Sequence, residues 1–220
     1  RDVMAFVGID KPEAKINVYT GEAVNYIPTR NVYIPVDKEK VLANGTVRPE
    51  DADKIVDRVE IQLPNTSSLN KSQLMVLDIL ATNNWERPVY FGVGMGKDSY
   101  LGFEDYFQLE GAAYRVVPIK TQTNDYSYDF GRVNSTVLYD NLMNKFVWGN
   151  IKDPKVNIDH FHDNTIAVMK YRNTFLRLAD KLMEEAQISS DSNQIVLDTA
   201  KVNAAVRVLD KSLEEIPLYQ

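Results

Sequence analysis

Over residues 16–36 and again over 58–63 the apolar side chains recur at every second position, and beyond residue 165 they recur at every third or fourth. A two-residue period alternates the faces of a strand, whereas a three-to-four period lays side chains along one face of a helix. The switch predicts an α+β (or α/β) fold in which a mixed sheet with a βαβ unit is followed by a C-terminal helical hairpin. The organisation it implies is an α/β domain over residues 1–160 and a helical hairpin over 161–220.

Locally, Ile16 and Val18 alternate before a Thr20-Gly21-Glu22 turn, and Val24, Tyr26, Val32, Ile34 and Val36 continue the period. Pro28 and Pro35 assign these to edge strands, because proline offers no ladder donor. A short acidic helix is expected from Pro49. Val59, Ile61 and Leu63 alternate up to Pro64, and Asn70 with Gln73 forms a capping-box pattern that opens a helix carrying Leu74, Leu77, Leu80 and Ala81. That helix ends at Asn83-Asn84. Residues 88–93 then read as a buried strand, so strand 58–63, helix 70–82 and strand 88–93 compose the expected βαβ unit. A further strand is expected over 113–119, an exposed loop over 120–131 and a short helix over 136–146. Past residue 165, Ile166, Met169, Phe175, Leu178, Leu182 and Met183 mark one helix, and Val202, Val206, Leu209, Leu213 and Ile216 mark a second. A hairpin cannot bury both its faces alone. It is expected to dock on the α/β part or on a repeat partner.

Charge narrows the function. The balance of 25 basic and 31 acidic residues is 25 − 31 = −6, which argues against a phosphate-tracking nucleic-acid binder and a polybasic membrane-surface helix. No cysteine is present, so thiol catalysis, thiolate zinc sites and disulfides are excluded. No apolar run approaches the roughly 18 residues of a membrane span. The chain opens on Arg1, not on a start residue, and is expected to be a piece of a longer protein.

Three constellations carry chemistry. Asp159-His160-Phe161-His162-Asp163 holds both histidines; if extended, it sets two imidazoles on one face, a weak metal candidate short of a third histidine. Gly92-Val93-Gly94-Met95-Gly96 is glycine-rich but departs from every phosphate-loop order. The run from Tyr100 to Arg115 interleaves acids and aromatics beside Trp85-Glu86-Arg87, as a sugar or peptide site does, and two carboxylates there have the chemistry of a glycosidase pair. The same residues also read as core aromatics with capping or ion-paired acids. No Gly-x-Ser-x-Gly occurs, and the Asn-x-Ser/Thr tripeptides at Asn44, Asn65, Asn70 and Asn134 carry no glycosylation claim.

Residues 77–91, the run 100–111 leading to 114–120, and residues 139–150 together resemble the large bacterial membrane-protein family related to protein O-mannosyltransferases. Members are similar to C-superfamily glycosyltransferases, with an N-terminal multi-spanning portion and a soluble C-terminal region outside the cytoplasm. The resemblance implies a lipid-linked hexose donor and catalytic acids in loops of the membrane portion, so no catalytic residue is carried onto this sequence. The final hairpin also resembles a tetratricopeptide unit, with residues 188–199 interrupting its period.

The expected function is therefore a non-catalytic extracytoplasmic domain, tethered to the inner membrane and facing the periplasm, that binds or positions an acceptor polypeptide or glycan. Its expected partners are the membrane-embedded part of the same polypeptide and that acceptor; no nucleic acid and no cofactor are expected. The expected binding surface is a groove lined by Trp85, Arg87, Glu104, Asp105, Tyr106 and Tyr114. The rival readings are a free-standing carbohydrate-active enzyme and a protein-interaction module.

Overall fold

The computed structural model describes residues 2–64, 68–122, 130–157, 159–162, 170–189 and 195–217. Helices and short sheets mix along the chain, and the last helices pair, as the α+β expectation required. The chain divides into two compact units, one of residues 1–91, 95–107 and 116–131, the other of residues 92–94, 108–115 and 132–220.

In the first unit a helix at Asp2–Val7 (α1) precedes an antiparallel hairpin of Lys15–Asn17 (β1) and Ala23–Asn25 (β2), with Ile16 opposite Val24. Asn31–Pro35 (β3) leads into the helix Lys38–Ala43 (α2), a 3-10 turn at Pro49–Lys54, the strand Arg58–Gln62 (β4) and the helix Lys71–Asn83 (α3). β3 and β4 pair antiparallel, from Asn31 opposite Gln62 to Pro35 opposite Arg58. The two-residue period is realised in β4: Val59 and Ile61 are buried while Arg58, Glu60 and Gln62 face solvent.

The strand after α3, Tyr90–Gly92 (β5), does not join β4. It belongs to a four-stranded mixed sheet with Phe107–Leu109 (β6), Ala113–Val116 (β7) and Arg132–Val133 (β8), in the order β5-β7-β6-β8. The strand–helix–strand succession is thus present, but its two strands hydrogen-bond in different sheets. The reason is that the free side of β4 is already occupied: the backbone N–H of Glu60 donates to the Tyr106 hydroxyl (3.1 Å), and Gly102 lies against the Gln62 carbonyl. Gly102 has φ +85°, and a Cβ there would come within 2.5 Å of that oxygen, so only glycine fits.

Three Asn-x-Ser/Thr tripeptides turn out to be helix caps. Asn44 closes α2, and its Oδ1 accepts from the Thr46 N–H (3.0 Å) and hydroxyl (2.7 Å). Asn70 opens α3 in a complete capping box: its Oδ1 accepts from the Gln73 N–H, and Gln73 Oε1 accepts from the Asn70 N–H, both at 2.9 Å. Asn134 accepts from the Val137 N–H (3.1 Å) at the start of Ser135–Asp140 (α4). The fourth, at Asn65, lies outside the described residues. Short polar side chains that satisfy orphan backbone donors recur at helix ends, which accounts for the pattern without any glycan. Asn70→Ala is expected to lower stability by about 1 kcal/mol in urea titrations, with Gln73→Ala adding less than its own single effect because the box is reciprocal.

The core of the first unit is aromatic. Phe91, Tyr100, Phe103 and Phe107 are buried, and Phe91 packs against the other three with ring centroids 5.2 to 6.1 Å apart. Tyr100 also meets Phe107 at 5.2 Å and Phe130 at 5.4 Å, both edge-on. Such rings contribute area burial of about 2–3 kcal/mol each and a further preference for edge-to-face geometry.

In the second unit α4 continues into a π turn at Asn141–Lys145, and a three-residue helical turn, His160–His162 (α5), precedes the long helix Asn173–Ala186 (α6). Strands Gln187–Ser189 (β9) and Ile195–Leu197 (β10) pair antiparallel where the sequence pattern was merely polar, and Thr199–Glu215 (α7) follows, capped by Asp198. α6 and α7 are antiparallel: the Arg172 guanidinium at the start of α6 donates to the Ile216 and Pro217 carbonyls at the end of α7. Phe175, Leu178 and Leu182 are buried as expected, Met183 is exposed, and Ile166 and Met169 lie outside the described residues. Of the second stripe, Ile216 is buried as expected, and the rest differs. α7 buries Ala205, Val208, Ser212 and Glu215 and leaves Val206, Leu209 and Leu213 exposed. Ala179, Ala186, Ala205 and Ser212 are small, so that pairing of faces lets the two helices approach closely, and close packing outweighs the larger residues one position away.

Glu185 ties α4, α6 and α7 together, accepting from the Ser135 hydroxyl (2.8 Å) and from Lys201. Burial by itself raises its pKa, but the hydrogen bonds from Lys201 and Ser135 and the charges of Lys201 and Lys181 outweigh it and hold the carboxyl below its ordinary value of 4.5. A carboxyl lowered in the folded state adds stability that is present above the unfolded pKa and lost as pH falls through the folded one. Glu185→Gln is expected to be less stable near neutral pH and to show a flatter acid limb below about pH 5 in thermal melts. An acid limb as steep as that of the unaltered protein would contradict this.

Candidate functional site

A groove of about 490 Å³ in the first unit is lined by Val3 and Met4 of α1, by residues 32–35 of β3, and by Leu77, Leu80 and Ala81 of α3. Four consecutive β3 residues of both side-chain parities line it, so it meets the strand edge-on. The hydrogen-bond phase agrees. Leu63 N–H donates to the Arg30 carbonyl (2.8 Å) and Val36 N–H to the Asp57 carbonyl (3.0 Å), so even-numbered β3 residues turn their backbone groups toward β4. Residues 31, 33 and 35 therefore turn theirs to the outer edge. Asn31 is engaged there by the Thr29 hydroxyl (3.1 and 3.3 Å), and the Pro35 carbonyl accepts the Trp85 indole N–H (2.8 Å). Tyr33, between them, presents N–H and C=O to the groove side of the strand. Its ring is half exposed, with the Arg58 guanidinium 4.6 Å above it. Glu86, paired with Lys40 (3.2 Å), closes one end.

The six residues expected to line a binding surface are placed as follows. Trp85, Tyr106 and Tyr114 are buried, Glu104 and Asp105 are half-buried in a 3-10 turn, and Arg87 is exposed. The structure brings Trp85 to the end of β3, where its indole caps Pro35 and its carbonyl accepts from Asn44 Nδ2 (2.6 Å). Tyr106 spends its hydroxyl on the Glu60 N–H. Their aromatic faces are filled with protein. Glu110, the other acid of the run, accepts from Gln108 (2.9 Å) and lies 3.8 Å from Arg115, as the ion-pair reading supposed. The groove residues themselves were read only as strand and helix positions; the available signal was Pro35, which marks β3 as an edge.

The histidine constellation reads differently in three dimensions. Residues 160–162 form a helical turn, so the one-face argument, which required extended backbone, does not hold, and Asp163 lies outside the described residues. Among the described residues no three histidine or carboxylate side chains gather as a metal would require. Gly94 of the glycine-rich loop provides room for the Lys170 side chain.

A family model described as TMEM260-associated domain 2 matches residues 1–137, more than half of the chain and all of the groove. The chain belongs to that family. Comparison with curated proteins and with solved structures gave no match. The TMEM260-associated domain is a domain of a membrane-protein family, and among the described residues no helix is long and apolar enough to cross a membrane. Helices α6 and α7 lie beyond the matched residues.

Within this domain Trp85 holds a left-handed backbone at φ 59°, directly after Asn84 at φ 45°. For a bulky residue that conformation costs about 1–2 kcal/mol, offset by burial and the bond to Pro35. Trp85→Phe keeps an aromatic ring but removes the indole donor, and is expected to cost about 1–3 kcal/mol in guanidinium titrations and to loosen the groove end. Unchanged stability would show that the Pro35 contact does not hold the turn.

Proposed function

We propose that the chain is a non-catalytic extracytoplasmic domain of a membrane-bound, glycosyltransferase-like protein related to O-mannosyltransferases, and that it positions an acceptor polypeptide for the membrane-embedded part. Its place in that reading is the periplasmic face, tethered to the inner membrane. The family match supports its association with a membrane protein. The observation that carries the substrate choice is the groove at the outer edge of β3. Its walls are mainly aliphatic, with Tyr33, Thr82, Asn84 and Glu86 also on the lining, and the strand backbone at Tyr33 offers one donor and one acceptor to an added extended segment. Polypeptide fits those terms better than glycan does. A sugar asks for aromatic faces ringed by polar groups, and Trp85, Tyr106 and Tyr114 are buried.

A groove of this size supports only modest affinity for a short peptide, on the order of 10 to 100 μM. In fluorescence anisotropy, extended peptides with alternating apolar residues are expected to bind in that range, and manno-oligosaccharides are expected not to compete. Ala81→Trp, which fills the groove, should weaken peptide binding at least about tenfold with an unchanged circular dichroism spectrum. Peptide binding that survives the filled groove, or saturable oligosaccharide binding instead, would overturn the assignment.

A further inference from the structure

Given polypeptide along the outer edge of β3, which rests on the function proposed above, the register of the strand fixes where each side chain of that segment goes. Tyr33 stands opposite Glu60, between the hydrogen-bonded pairs Val32–Ile61 and Ile34–Val59, so its own N–H and C=O turn outward. On either side of it the edge is already used. Thr29 bonds to both backbone groups of Asn31, while Pro35 has no N–H and lends its C=O to the Trp85 indole (2.8 Å). The open stretch is therefore one residue long, and an extended segment makes its two backbone bonds there, both to Tyr33.

Residues directly across a strand pair share a face, in parallel and antiparallel ladders alike, and their chain neighbours take the other face. On the Tyr33 face, Asn31 and Pro35 of β3 and Arg58, Glu60 and Gln62 of β4 are exposed. The Arg58 guanidinium lies over the Tyr33 ring and its Nε donates to Glu60 (2.6 Å), so the charges beside that position are already matched. The segment residue across from Tyr33 thus keeps its side chain in water. On the opposite face Val32 and Ile34 are half-buried beside Val59 and Ile61, and Met4, Leu77 and Ala81 complete the wall. The residues before and after the central one point there. The polar lining, Thr82, Asn84 and Glu86, comes from the end of α3 and the turn beyond it, at the Pro35 end of the strand. A polar side chain against the aliphatic wall loses water and gains no partner from it, whereas an aliphatic one is buried.

We propose that the β3 edge selects its polypeptide by a three-residue pattern, aliphatic–variable–aliphatic, with the variable residue across from Tyr33 and in solvent. Valine and isoleucine suit the flanking places best, because they also favour the extended backbone that the edge requires. The test is fluorescence anisotropy of the whole chain with peptides of about nine residues that carry one Val-Thr-Val triplet in a Ser/Lys/Glu background. Changing either flanking valine to serine is expected to weaken binding about five- to tenfold. Changing the central threonine to serine, lysine or glutamate should alter it less than about twofold. N-methylation should weaken binding several-fold at one nitrogen of the triplet and no other, since Tyr33 offers a single C=O. Met4→Glu, on a helix that buries none of its residues, should weaken Val-Thr-Val about fivefold and strengthen a peptide with lysine in place of one flanking valine. Equal affinity for Val-Thr-Val and its flank-substituted forms, with binding still lost on Ala81→Trp, would overturn the pattern and leave the peptide reading standing. Loss of binding on changing the central residue alone would overturn the pattern as well. Failure of every peptide to bind would remove the peptide reading and the pattern with it.

Discussion

Packing of Phe91 against Tyr100, Phe103 and Phe107 is the contact on which the first unit depends. These four rings come from residues close in sequence, yet each is buried, and the backbone between them must fold tightly to bring them together. Gly102 and Gly131 allow this: a Cβ at Gly131 would lie 2.0 Å from the Phe107 carbonyl oxygen. Once the cluster forms, Tyr106 projects its hydroxyl to the backbone of β4, and β4 in turn fixes β3. The outer edge of β3, with its groove, is thus positioned by an aromatic core two elements away.

The same cluster explains why an acid-and-aromatic run resembles a ligand site in the linear sequence. Aromatic residues serve cores and sugar platforms with identical chemistry, and only burial separates the two. Here Tyr100, Phe103, Tyr106 and Phe107 are interior, and Glu110 is engaged with Gln108 and Arg115. The aliphatic residues that line the groove drew no attention in the sequence because each is also what a strand or helix needs for its own packing.

Local features were legible. The Asn70–Gln73 capping box, the end of α3 at Asn83, the alternation of β4 and the burial of Phe175, Leu178 and Leu182 on α6 are all decided by near neighbours, and these occur as the pattern indicated. Non-local choices were not. Which sheet receives β5 depends on the free side of β4 being occupied by Tyr106 and Gly102, forty or more residues away in sequence. The inward face of α7, where Ala205, Val208 and Ser212 are buried, depends on what packs against it, which no hydrophobicity pattern of α7 alone contains. The β9–β10 ribbon was hidden because strand pairing across a short polar connection leaves little periodic signal.

The central claim is that this domain meets polypeptide along β3, with the aromatic run serving only as support. Hydrogen–deuterium exchange of the whole chain, with and without an unfolded acceptor polypeptide, tests it most directly. The account predicts added protection at residues 31–35 and 77–84 and none at 100–115. Protection gained at 100–115 with β3 unchanged would contradict it.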